Sequence, residues 1–129
     1  MNLAELLYWD TISDLASDDL GIWEVAWRAN TLSRTHRNLT NAAAATVIAR
    51  LVKEGLATPV DESGDRCDET YLGKVLRGDS WARASRPTPM LRLRAVEDAL
   101  QRRYAEIPHH VGPEAMSRQD RVSGDISER

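Results

Sequence analysis

Apolar residues recur at helical spacing in four stretches of the chain. Between residues 2 and 17, Leu3, Leu7 and Leu15, flanked by Leu6, Tyr8 and Ile12, form one apolar face. The face is wide enough to predict contact with more than one element. Asn2 is placed to cap this helix, and Glu5 follows three positions later, as a capping box requires. Ser17-Asp18-Asp19 breaks the pattern, and Leu20-Gly21-Ile22 reads as a short extended piece. A second helix spans about Trp23 to Leu32. Val25, Ala29 and Leu32 share one face of it, Trp23 and Trp27 a neighbouring one. Glu24 and Arg28 are spaced for an ion pair along this helix.

Ser33 to Leu39 is polar and basic and reads as a loop. A third helix, capped by Thr40 or Asn41, runs to Glu54, with Ala44, Val47 or Ile48, and Leu51 as its buried stripe. Gly55 follows as the residue able to adopt a left-handed stop. Leu56 to Val60 reads as a strand, and Pro59, which has no N–H to donate, predicts that it lies at an edge or ends early. Asp61 to Asp65 is a turn, and Tyr71 to Leu76 is predicted to return as the second strand of a hairpin. Gly78 to Pro87 is irregular. Thr88 and Pro89 open a fourth helix carrying Leu93, Val96, Leu100, Tyr104 and Ile107, which Pro108 ends. Residues 108–129 hold further breakers and few apolar side chains, predicting a disordered tail. Residues 1–107 then form one mainly α domain: a three-helix core, a small β-hairpin and an added C-terminal helix.

The run Ile48-Ala49-Arg50-Leu51-Val52-Lys53-Glu54-Gly55-Leu56 resembles the end of the recognition helix entering the wing in winged helix-turn-helix proteins. The likeness spans roughly residues 3–76. It implies a winged-helix-like fold, and by analogy a third helix that enters the major groove of double-stranded DNA.

Composition narrows the setting. A chain of 129 residues is the size of one domain and buries enough surface to fold without staples. Cys67 is the only cysteine, so no disulfide forms within the chain, as suits a reducing compartment. The start lacks a basic segment followed by an apolar run, and no stretch nears the roughly 18 apolar residues of a membrane helix. The expectation is a cytoplasmic protein with no membrane partner. The 15 arginines against 2 lysines, with abundant alanine, accord with the GC-rich coding of a bacterium or phage.

Charge is segregated along the chain, although the net value is only -3. Residues 1–24 carry six acids and no base; residues 25–53 carry five bases and no acid. Residues 54–70 are acidic again, and residues 71–103 carry eight bases against three acids. Such blocks create local potential even when the total is small.

Three kinds of site are read from these features. For nucleic acid, Arg34, Arg37, Arg50, Lys53, Lys74 and Arg77 are candidate phosphate contacts, with Asn41 and Thr46 beside them. Base readout needs hydrogen-bonding side chains, and alanines occupy most of the groove-facing positions. For a protein interface, Ala42, Ala45 and Ala49 leave a smooth helical strip that Trp23 and Trp27 extend. For catalysis or metal the signals are poor. His36, His109 and His110 have no partner spacing, and the acids around Cys67 disfavour its thiolate. No cofactor and no metal is expected, and the reading is of a binding protein, not an enzyme. The leading expectation is a small nucleic-acid-associated regulator that contacts phosphates more than bases. The alternative is a protein-interaction module, a homodimeric adaptor or an inhibitor, using the same scaffold without DNA.

Overall fold

The computed structural model describes residues 2–33 and 37–108, the side chains of Arg37 and Asn38 apart. The order is α1 (Leu3–Leu15), β1 (Leu20–Gly21), α2 (Ile22–Ser33), α3 (Arg37–Lys53), β2 (Ala57–Val60), α4 (Glu69–Arg77), a 3-10 turn (Ser80–Ala82), β3 (Arg92–Ala95) and α5 (Glu97–Tyr104). The fold is mainly helical, with one three-stranded antiparallel sheet in the order β1-β3-β2. Leu20 lies opposite Leu93, and Ala57 to Val60 pair with Ala95 to Arg92.

The helical stripes meet in one core. Leu7, Ile12 and Leu15 of α1, Val25 and Ala29 of α2, and Ala44, Val47, Ile48 and Leu51 of α3 are all buried. Leu56, Leu91, Leu93 and Leu100 close it from the sheet and α5. Asn2 caps α1 as expected, its Oδ1 accepting the Glu5 N–H at 2.9 Å. The second half of a capping box is missing, because the Glu5 side chain turns to α3 instead. α3 ends in a Schellman motif: Leu56 N–H reaches the Leu51 carbonyl and Gly55 N–H the Val52 carbonyl. Gly55 has φ +75°, which an L side chain adopts only at a cost.

Pro59 sits on an edge strand, and its carbonyl accepts the Cys67 N–H on the side away from β3. Its missing donor therefore faces the outer edge and costs the ladder nothing.

Four expectations are corrected. Tyr71 to Leu76 is helical, inside α4: Asp68 caps that helix by accepting the Tyr71 N–H at 2.7 Å, and Leu72 is its buried anchor. The strand that pairs with β2 is instead Arg92–Ala95, where Leu93 is buried between exposed Arg92 and Arg94. The fourth helix thus starts at Glu97 and not at Thr88, because Thr88 closes a loop with Ser80. The Thr88 N–H donates to the Ser80 carbonyl at 3.0 Å, and the Ser80 hydroxyl to the Thr88 carbonyl at 2.6 Å. α3 begins at Arg37, before either proposed cap, and Thr40 is buried within it. Arg28 pairs with Asp10 of α1, not with Glu24, whose carboxylate accepts the Gly21 N–H.

The predicted disordered tail lies, but for Pro108, outside the described residues.

Candidate interaction surface

α3 is the longest helix among the described residues and has two faces. Ala44, Val47, Ile48 and Leu51 turn into the core, while Leu39, Ala42, Thr46, Ala49 and Lys53 are exposed. The exposed set repeats at intervals of three and four residues, so it forms one stripe along the helix. Leu39 leads it at 61% exposure. Asn41 is half-buried between two shallow depressions. One, of about 380 Å³, runs between Trp27, Asn30 and Thr31 of α2 and Ala82 and Ala84. The other, of about 460 Å³, runs between Ala42 and Ala45 of α3 and Leu76, Arg77 and Trp81.

Arg50 emerges from α3 toward α1. Its Nη1 meets Glu5 Oε1 at 2.9 Å, its Nε meets Glu54 Oε2 at 3.1 Å, and its Cζ lies 3.6 Å from the centre of the Tyr8 ring. The Tyr8 hydroxyl donates to Glu54 Oε1 at 2.5 Å and accepts from Arg103 Nη1 at 2.9 Å. Arg103 also reaches Glu106. One network therefore ties α1, α3 and α5 together. Burial pushes the Tyr8 phenol well above its ordinary pKa, and its bond to Glu54 pushes it further. Burial alone would raise the Glu54 carboxyl. The Tyr8 hydrogen bond and the Arg50 and Arg103 guanidiniums outweigh that and hold it below the ordinary value.

The acid and base blocks of the sequence thus meet across the fold, mostly at its surface. Asp10 and Glu5 of the first block bind Arg28 and Arg50 of the second, and Asp19 binds Arg94. Of the nucleic-acid candidates, Arg50 is committed to this network. Lys53, Lys74 and Arg77 are exposed and make no ion pair among the described residues. Asn41 and Thr46 stand on α3 as described above. Arg34 lies outside the described residues, as does the Arg37 side chain.

Of the interface candidates, Ala42 and Ala49 are exposed and Ala45 is half-buried. The two tryptophans part company. Trp23 is buried with its ring against Gly21, where an added Cβ would meet ring atoms at 2.5 Å. Trp27 is 41% exposed, and its Nε1 donates to the Arg83 carbonyl at 3.3 Å. Trp81 is buried and bonds the Gly78 carbonyl.

Burial pushes the Cys67 thiol up, and Asp61, Asp68 and Asp65 push it further, which makes a sluggish nucleophile. Among the described residues, no three His, Cys, Asp or Glu side chains cluster as metal ligands. Nor, among them, is any helix long and apolar enough to cross a membrane. The three histidines lie outside the described residues.

Sequence reasoning singled out Arg50 but missed its partners Glu5, Tyr8, Glu54 and Arg103. A signal was present for Glu5 and Glu54, which lie in the acidic blocks on either side of the basic block that holds Arg50; none pointed to Tyr8 or Arg103. Comparison with protein-family models, curated proteins and solved structures found no match.

Proposed function

We propose that the chain is a protein-interaction module on a winged-helix-type scaffold, with the outward stripe of α3 as its contact face. The scaffold reading draws on the element order α1-β1-α2-α3-β2 and the return of β3 between β1 and β2. In that reading α3 stands where a recognition helix would, and residues 61–91, with α4 and the 3-10 turn, replace a simple wing.

The observation that carries the proposal is the commitment of Arg50. The best-placed cation of α3 is bound by Glu5 and Glu54 over Tyr8, and the stripe beside it is Leu39, Ala42, Thr46, Ala49 and Lys53. Base edges need donors and acceptors, which alanine and leucine lack. The same small side chains let a partner helix or strand approach closely, with exposed Leu39 as the apolar anchor at one end.

Affinity capture of cellular partners tests this. A partner retained by the native chain and lost from Ala49→Glu supports the stripe as the contact; an unchanged partner set removes it. Binding to nucleic acid is the second reading, favoured by the exposed Lys53, Lys74 and Arg77, which make no ion pair among the described residues. It requires these three cations to serve without Arg50.

A further inference from the structure

α4 carries an unexplained glycine. Gly73 is the central residue of the helix Glu69–Arg77, and glycine is costlier in a helix interior than any residue but proline. Glycines are retained in helices where a backbone or ring passes too close for a Cβ. Gly21, in strand β1, shows a close approach of this kind in the Trp23 ring. Gly73 has none among the described residues: a Cβ there would meet nothing within 4 Å. Its φ is not in the left-handed region either.

The charges on either side of it are laid out symmetrically. Glu69 stands one turn before Gly73 and Arg77 one turn after, in a single i, i+4 row. Both are exposed, and neither makes an ion pair among the described residues. Lys74 and Thr70 are exposed beside the row. Along the helix axis Glu69 and Arg77 are separated by about 12 Å at 1.5 Å per residue.

We infer that α4 is a self-association surface: two copies cross antiparallel about a two-fold axis at Gly73, with Glu69 of each facing Arg77 of the other. A two-fold contact must be self-complementary, and an acid and a base equidistant from a central glycine satisfy that condition. The glycine lets the two backbones approach at the crossing, which explains its place in the helix. Ala42 and Ala45, in the shallow depression beside Arg77, leave room for the partner helix at its end. A crossing of two short helices buries less than a standard stable interface, so the association is weak and reversible. This inference concerns α4 and a second copy of the chain; it shares Ala42 with the α3 reading, but Glu69, Gly73 and Arg77 lie outside that stripe and test it on their own.

Sedimentation velocity on the full chain, over a concentration series reaching millimolar, tests it. The native protein self-associates, less so as salt rises. Glu69→Arg and Arg77→Glu each set like charges together and weaken association about tenfold or more. The doubly exchanged protein, Glu69→Arg with Arg77→Glu, restores it, because the pairs reform with reversed polarity. Gly73→Leu melts no lower than the native chain, since it adds helix propensity and meets no clash, yet it stays monomeric. A native protein that is monomeric at millimolar concentration overturns the inference. So does an exchange that fails to restore association, or a Gly73→Leu protein that associates normally.

Discussion

Arg50 and Tyr8 are stacked, the guanidinium carbon 3.6 Å from the centre of the phenol ring, and that contact makes the most conspicuous cation of α3 a structural one. A guanidinium over an aromatic face contributes about 0.5–1 kcal/mol at an exposed site. Each exposed ion pair adds about 0–1 kcal/mol more. Neither contribution is large, but both are lost together with Arg50.

Arg50→Ala is therefore expected to destabilise the fold by about 1–2 kcal/mol. Lys53→Ala, three residues on and exposed, should change stability by less than about 0.5 kcal/mol. Urea unfolding of the two variants separates a structural cation from a solvent-facing one. Equal, small effects would mean that the network carries no stability.

The same network predicts a pH dependence at both ends of the range. Glu54 is held below its unfolded pKa, so its contribution is present above the ordinary carboxylate range and is lost as pH falls through its folded value. Tyr8 is held above its unfolded pKa, so its contribution is present below the ordinary phenol pKa and is lost at higher pH. In thermal melts across pH, Glu54→Gln should flatten the acid limb and Tyr8→Phe the alkaline limb. A Glu54→Gln protein with the native acid limb would contradict the assignment.

Gly21 lies at the junction of β1 and α2 with the Trp23 ring against it. A methyl group there overlaps the ring of a buried tryptophan, so the ring or the turn must shift. Gly21→Ala should cost about 1–3 kcal/mol, as overpacking of a core does, and should broaden or shift Trp23 emission. A Tm within a degree of the native value would show that the turn can relax.

The long helices were legible because their stripes are long. Leu7, Ile12 and Leu15, or Ala44, Val47, Ile48 and Leu51, leave little choice of period. The Gly55 stop was legible for the same reason, since it closes a complete pattern. The hairpin was not. Leu93 fits the alternation Arg92-Leu93-Arg94 of a strand, but it also stands three before Val96 and seven before Leu100, which is a helical spacing. The ambiguity was resolved by pairing with β2, a contact across the whole of α4 that local pattern cannot report. α4 was misread because Asp68, its cap, stands at the end of an acidic, turn-rich run. The site was legible only in part. The α3 stripe follows from periodicity, whereas the fate of Arg50 depends on Glu5, 45 residues earlier, and Arg103 reaches Tyr8 across 95.

Everything in the functional account turns on whether α3 meets phosphate or protein. The direct measurement is binding of the pure protein to mixed-sequence duplex DNA across a salt series, with Arg50→Ala alongside. The account predicts no binding at physiological salt, and no Arg50-dependent slope in whatever binding remains at low salt. Tight binding that falls steeply with salt, with a slope reduced by about one in Arg50→Ala, would show that Arg50 leaves its carboxylates for phosphate and would contradict it.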